Sequence, residues 1–334
     1  MEAFPAASPG MTELATGSVR VRATARLHFG FLDPSGRSPR PFGSFGLSLD
    51  QPCTRLMLER APAFQVSGPE RERAEHYLKS IAASCGVMHT YALHIEEAIP
   101  PHAGLGSGTQ LALAVGSAFA ALEGLDLTPQ EIATRLSRGS RSGIGIGTFT
   151  FGGTVLDAGP YRGAVPEIIA RVSFPEAWRA ILIFDPEARG LAGDSETAAF
   201  EALPDFPESE AEALYRRILQ SALPALANQD FTTFCAEVGH LQEVMGAYFA
   251  PLQGGPYVSP AVSDALAWLA NQGVTGLGQS SWGPTGFAFV SSEEASETLL
   301  AGLRSHTRTG GLHFRLARGR NEGAVIEINP QKNR

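Results

Sequence analysis

Residues 100–122 read PPHAGLGSGTQLALAVGSAFAAL, and no other stretch limits the possible folds so tightly. Gly104, Gly106 and Gly108 permit positive φ and close backbone approach in a loop that follows two prolines. The residues after them are small and apolar on all sides, the pattern of a helix buried in the core rather than lying on a surface. Ser107 or Thr109 could cap that helix. Free N–H groups at a helix N-terminus make a ready anion site, and burial of the helix would aim that end at a ligand sheltered from water. The loop holds no lysine, so it is not an ordinary ATP-binding P-loop. A plain glycine-rich turn before a capped helix is the competing reading of these residues alone.

Charge and composition narrow the ligand. The 334 residues suffice for one large domain or two, with 43% hydrophobic and 18% charged residues, an ordinary soluble balance. A net charge of -8 without a basic stripe argues against a nucleic-acid partner. Lys79 and Lys332 are the only lysines, so an internal anion site is expected to use forked guanidinium groups, backbone N–H groups or a metal. Cys53, Cys85 and Cys235 are scattered and lack metal-ligand spacing, which predicts buried small side chains in a reducing, cytoplasmic setting. Residues 1–18 lack the features of a signal peptide and are expected to form a loose tail. No apolar run reaches the about 20 residues of a membrane span.

Periodicity places the motifs. Residues 19–32 alternate as an opening strand, 33–46 carry turn chemistry throughout, and 47–50, 54–60 and 64–68 suggest short strands. A helix is predicted over 70–85, a strand over 91–99, and a second helix over 129–138. A second glycine-dense segment runs over 139–160. From 171 onward the pattern changes: a strand at 178–186, helical periods over 208–249 and 259–272, a third glycine-bearing loop leading into a strand at 275–290, a helix over 292–304 and two terminal strands. The expected organisation is therefore a domain over 19–170 and another over 171–334.

The arrangement P-x-x-x-G-L-G-S before a small-residue helix resembles the signature loop of the GHMP superfamily of small-molecule kinases. In those kinases a later S-G-x-D segment supplies a catalytic aspartate, whereas this chain reads Ser142-Gly143-Ile144-Gly145. A kinase needs a group to accept or orient the proton of the attacking hydroxyl, and Asp157, twelve residues beyond Gly145, is a poor substitute. The segments 25–36, 43–52, 102–116, 142–153 and 276–289 together resemble one branch of the superfamily, the β-ribofuranosylaminobenzene 5′-phosphate synthases. The resemblance spans most of residues 20–330 and is most specific at Arg26-Leu27-His28 and at 279–284. It implies an α+β fold, with an N-terminal half like ribosomal protein S5 domain 2 and a ferredoxin-like C-terminal half, and a homodimer. It also implies a reaction of tetrahydromethanopterin synthesis, in which phosphoribosyl pyrophosphate joins 4-aminobenzoate or 4-hydroxybenzoate with loss of CO2 and pyrophosphate. The residues do not choose between the two acceptors. An ATP-dependent kinase and a passive phosphate-binding protein are the alternatives.

Under this resemblance Gly104, Leu105, Gly106, Ser107, Gly108, Thr109 and Gln110 would hold pyrophosphate or the 5′-phosphate of the donor. Arg141, Ser142 and Gly143 of the second glycine segment, with Ser281 and Trp282 of the third, would complete the substrate site. Arg26, His28, Gln279 and Ser280 are the expected catalytic group: Arg26 clamps an anion and His28 orients the arene or donates to departing phosphate. A helix N-terminus contributes about 0.3–1 kcal/mol per charge, up to ~2 when partly buried, too little for a polyanionic leaving group. Mg2+ is therefore expected, with Ser107 or Thr109 and Glu196 as ligand candidates and Asp194 behind them. Plainer readings stand beside these: a structural histidine, a core tryptophan amid turn residues, a helix-terminal Arg141, and a capping run at 194–196. The remaining histidines show no ligand spacing.

Overall fold

The computed structural model describes residues 17–34, 38, 40–190, 194–306 and 311–330. The tail expected over 1–18 thus lies, up to residue 16, outside the described residues, and the first strand starts at once after it. In chain order the elements are β1 (Ser18–Asp33), β2 (Phe42–Arg60), β3 (Gln65–Ser67), α1 (Arg71–Ser84), β4 (Tyr91–Glu97), α2 (Ser107–Glu123), α3 (Pro129–Arg135), α4 (Ile144–Phe151), β5 (Thr154–Asp157) and β6 (Ile168–Val172). Then follow β7 (Arg179–Phe184), α5 (Asp194–Ala202), α6 (Glu208–Arg217), a π-helical turn (Ile218–Ala222), α7 (Leu223–Ala227), α8 (Phe231–Gln253), α9 (Pro260–Asn271), β8 (Leu277–Gln279), β9 (Gly286–Val290), α10 (Glu293–Ser305), β10 (His313–Ala317) and β11 (Val325–Asn329).

Among the described residues the strands form two sheets. The first runs β11-β1-β2-β4-β3, with β5 paired to β2 and β6 to β5. The second, β10-β7-β9-β8, is antiparallel throughout. Its strand and helix order, β7, helices, β8, β9, α10, β10, is the ferredoxin-like split βαβ arrangement expected for the C-terminal half. The last strand, β11, returns to pair with β1. The expected boundary near residue 170 falls inside β6.

Two expectations needed revision. The loop expected over 33–46 is shorter, because β2 begins at Phe42, and the separate strands at 47–50 and 54–60 are one strand, β2. Residues 42–46 have the composition of a turn. Pairing of Ser44–Leu47 with both β1 and β5 holds them extended despite their composition. The glycine-dense segment 139–160 also contains α4, whose sequence IGIGTFTF has weak helix propensity and is held by burial.

Three cores result. One lies between the first sheet and α1–α3, and includes Leu111, Leu113, Val115 and Phe119 of α2. Burial of each such side chain stabilises the fold by about 1.5–3 kcal/mol, which is how a helix without a polar face is held. A second core joins the sheets to α6–α8 around Phe29, Phe234, Phe287 and Phe289. The third packs α9 and α10 on the second sheet. The helix that follows the glycine loop is thus anchored in one core from Leu111 to Leu122, while the 279–285 loop hangs from the second sheet. The glycine loop sits at the junction.

Candidate active site

β1 delivers Arg26 and His28 to the junction on one face, two residues apart, while Leu27 between them enters the core. Register shifts in the β1–β2 ladder between Thr24 and Arg26 and between His28 and Gly30 bracket the pair. Such bulges re-aim side chains. The Arg26 N–H donates to the Leu105 carbonyl at 3.1 Å, and Nη1 donates to the Gly104 carbonyl at 2.5 Å. Its Nε is buried without a partner. Burial pushes the guanidinium down to about 10, partly offset by the Glu196 carboxylate. Arg26 therefore stays charged beneath the loop.

The loop is shaped by what it touches. Gly104 has φ +70, and a methyl group there would lie 2.2 Å from the Ser280 carbonyl oxygen and 2.8 Å from that of Gly283. Only glycine serves. Gly106, with φ 81, precedes α2, and no side chain caps the first turn. The hydroxyl cap expected from Ser107 or Thr109 is absent, which leaves first-turn N–H groups open to an anion. Leu105 is a core side chain that contributes its carbonyl to the site. Thr109 and Gln110 turn away toward α4. A methyl at Gly145 would stand 2.9 Å from Thr109 Cγ2, and buried Gln110 donates from Nε2 to the Gly145 carbonyl at 2.7 Å. Any side chain at 145 would press on Thr109.

Of the second glycine segment only Arg141 joins this group. The Ser142 hydroxyl accepts from the Ile144 N–H at 3.2 Å, and the Gly143 N–H donates to Asp157 Oδ2 at 2.7 Å. Asp157 also accepts from the Ser44 N–H and hydroxyl and from the Gly159 N–H. It is a buried organiser of the segment, and burial pushes its carboxyl up to about 6. Arg141 lies 3.7 Å from Glu196 Oε2 and 5.0 Å from the Phe200 ring.

The third loop supplies the clip and one wall. Ser280 Oγ donates to the Gly104 carbonyl at 2.7 Å and accepts from the His28 N–H at 3.0 Å, tying β1 to the glycine loop. The Gln279 carboxamide accepts from the Val258 N–H at 2.8 Å and donates toward Gln253 and the Ser281 carbonyl. Gln279 and Ser280, two of the four side chains expected to be catalytic, thus hydrogen-bond to neighbouring backbone and side chains. The Ser281 N–H donates to the His28 carbonyl at 3.1 Å. Buried Trp282 donates from Nε1 to Glu196 Oε1 at 3.1 Å and packs on Phe249 at 4.5 Å and Phe200 at 5.4 Å.

A narrow cavity opens between these rings. His28, Phe31, Met245, Phe249, Ser281 and Trp282 border it, and it leaves ≈ 30 Å³ for the centre of a water molecule. His28 is 2% exposed, its ring lies 4.7 Å from that of Phe31, and neither ring nitrogen has a partner. Burial, then the Arg26 charge, push the imidazole well below its ordinary range, so it is neutral.

Among the described residues no group of three or more His, Cys, Asp and Glu side chains could hold a metal ion. Glu196 already faces Arg141 and the Trp282 N–H. Its charge also acts on Arg26. Of Asp194, only the backbone, at the start of α5, is described.

Two groups were missed by sequence reading. A methyl at Gly108 would lie 2.5 Å from Arg73 Nη2 and 3.6 Å from Arg138 Nη1, so two guanidinium groups stand beside the N-terminus of α2. Arg73 pairs with Glu70 at 2.7 Å, and Arg138 donates to the Tyr77 hydroxyl. In sequence Arg73 is one charge within ERERAEH, indistinguishable from a solvated helix face. Phe200 and Phe249 carried no signal beyond ordinary helical periodicity.

Comparison with known proteins agrees with this geometry. Residues 72–153 match the family described as GHMP kinases N terminal domain, and 222–308 match GHMP kinases C terminal. Homoserine kinase from Cytophaga hutchinsonii superposes with a TM-score of 0.67 at 16% identity, covering 97% of this chain and 100% of that one. Mevalonate-3-kinase from Thermoplasma acidophilum gives 0.64 at 16% identity, covering 95% and 100%. These likenesses establish the fold. In sequence, the chain is 30% identical to a beta-ribofuranosylphenol 5′-phosphate synthase of Archaeoglobus fulgidus over 327 residues, covering 93% of this chain and 100% of that protein. A protein of the same name from Methanothermobacter thermautotrophicus is 28% identical, covering 92% and 98%. On that identity, which spans nearly the whole of both chains, the chain belongs to the beta-ribofuranosylphenol 5′-phosphate synthase family within the GHMP fold.

Proposed function

We propose that this protein is a decarboxylating phosphoribosyltransferase. It joins C1 of phosphoribosyl pyrophosphate to the ring carbon of 4-hydroxybenzoate or 4-aminobenzoate that bears the carboxylate, and releases pyrophosphate and CO2. The observation that carries this reading is an uncapped glycine loop over the charged Arg26, next to an aromatic cavity holding a neutral histidine. The names of the relatives favour the hydroxylated acceptor, since a ribofuranosylphenol is what 4-hydroxybenzoate would yield.

The chemistry follows from those parts. The diphosphate would lie against the first-turn N–H groups of α2, with Arg26 below and Arg73 and Arg138 beside it. These donors are fixed before charge develops, which is the electrostatic contribution most effective in a site closed to water. As the C1–O bond breaks, its electron pair leaves with pyrophosphate, and the ring carbon supplies the pair that forms the new C–C bond. The C–CO2 bond then gives its electrons back to the ring. The rings of Phe31, Phe249 and Trp282 would hold the arene against the ribose, the orientation such a step depends on. Mg2+ enters this reading as a counter-ion bound to the donor's diphosphate. A homodimer is part of the same reading. Supporting it, β11 is an edge strand with Val325, Ile326 and Ile328 exposed, the kind of edge a second chain covers.

The test incubates the protein with phosphoribosyl pyrophosphate, Mg2+ and carboxyl-labelled 4-hydroxybenzoate or 4-aminobenzoate and measures labelled CO2 and pyrophosphate. Phosphate transfer from ATP to a hydroxyl acceptor, with no CO2, would instead establish a kinase.

A further inference from the structure

We propose that His28 is the base that takes the hydroxyl proton of a 4-hydroxybenzoate acceptor, so that the cavity beside β1 is built for a phenol. This rests on the phosphoribosyl-transfer reading and gives it a proton path. The geometry singles out this one side chain. His28 is 2% exposed, and both ring nitrogens are buried with no hydrogen-bond partner. An unmade hydrogen bond at a buried group costs folding free energy, so such atoms call for an explanation. The other polar side chains bordering the cavity are largely spoken for. Gln242 donates to the Phe29 carbonyl and accepts from the Gln279 N–H. Gln279 accepts from Val258, while Gln253 donates to the Pro256 carbonyl at 2.9 Å and faces the Gln279 amide. The imidazole therefore presents an open acceptor to a space walled by Phe31, Met245, Phe249 and Trp282, with Ser281 as the other polar side chain beside the three glutamines.

Pyrophosphate leaves C1 with the C1–O electron pair. The ring carbon bearing the carboxylate bonds to C1, the ring becomes a dienone, and the phenolic O–H proton passes to an imidazole nitrogen of His28. Cleavage of the C–CO2 bond restores the aromatic ring, CO2 departs, and the phenolate oxygen recovers the proton from His28. No oxidant or further reactant is needed. An aminobenzoate differs at one point: its nitrogen lone pair pushes into the ring while the N–H bonds stay intact, so the forward step needs no base. A phenol, neutral at pH 7 with a pKa near about 10, does.

The test compares two acceptors in one variant. With phosphoribosyl pyrophosphate and Mg2+, His28→Asn is expected to lower kcat for CO2 release from 4-hydroxybenzoate by about 10²–10⁴-fold, the usual worth of a general base. The loss with 4-aminobenzoate should be at least about tenfold smaller, and imidazole should partly restore 4-hydroxybenzoate turnover to His28→Ala. Equal losses with both acceptors, or none, would overturn the proposal. If neither variant folds, wild-type single turnover in D2O decides: CO2 release from 4-hydroxybenzoate must slow, and an unchanged rate refutes the base. A wild type that releases no CO2 from either acceptor removes the phosphoribosyl-transfer reading itself, and this proposal with it.

Discussion

Gly104→Ala tests the junction where β1, the glycine loop and the third loop meet, and Gly86→Ala supplies its control. The two glycines have nearly the same backbone, φ +70 and φ +68. A left-handed residue with a side chain costs about 1–2 kcal/mol, offset by about 0.4–1 kcal/mol gained by stiffening the unfolded chain. Both substitutions therefore carry about 1 kcal/mol from the backbone alone. They differ in surroundings. Nothing lies within 4 Å of a methyl at Gly86, whereas at Gly104 it would meet the Ser280 carbonyl oxygen at 2.2 Å and the Gly283 carbonyl oxygen at 2.8 Å. Neither obstacle is a movable side-chain tip. Relief requires a shift of about 1 Å between the two loops, and overpacking of this kind adds about 1–3 kcal/mol. The same shift breaks the Ser280 and Arg26 bonds to the Gly104 carbonyl. A misplacement of about 1 Å in a positioned site can cost about 10²-fold in rate. Urea denaturation should give a loss of about 1 kcal/mol for Gly86→Ala and about 2–4 kcal/mol for Gly104→Ala. CO2-release kinetics should give unchanged kcat/KM for the first and a fall of about 100-fold for the second. Equal stability and equal turnover in the two variants would refute the convergence of loops on Gly104.

Asp157, whose carboxyl burial raises to about 6, makes a stability contribution that is fully present below its unfolded pKa and lost as pH rises through about 6. Measured against Asp157→Asn by urea denaturation, the wild type should lose about 3 kcal/mol between pH 4 and pH 7.5, two pKa units of linkage; a flat difference would show that the carboxyl titrates normally. Glu196→Gln removes a negative charge facing Arg141 and near Arg26 while keeping an acceptor for Trp282. It should lower KM for phosphoribosyl pyrophosphate a few-fold and leave the Mg2+ concentration for half-maximal rate unchanged, whereas a tenfold rise in that concentration would make Glu196 a metal ligand.

The sequence by itself determined the elements whose period is strong and whose burial is uniform: the opening strand, the all-apolar helix after Gly104–Gly108, and the helices and strands of the C-terminal half. Local turn chemistry also located the three glycine loops, and the missing aspartate at 145 argued against a kinase. Periodicity failed where tertiary contacts override composition. Residues 42–46 look like a turn but are paired on both sides as strand, and IGIGTFTF becomes a helix because burial rather than propensity holds it. Which partners each site residue has is set only by the fold. Ser280 and Gln279 look catalytic in a loop, yet their hydrogen bonds are committed to neighbouring backbone and side chains. Arg73 and Arg138 look like solvated charges, yet α1 and the turn after α3 bring both to the start of α2. A side chain's chemistry depends on which partners remain open to it, and those partners come from segments as far apart as His28 and Ser280. Sequence spacing carries no record of that distance, and only chain closure in three dimensions does.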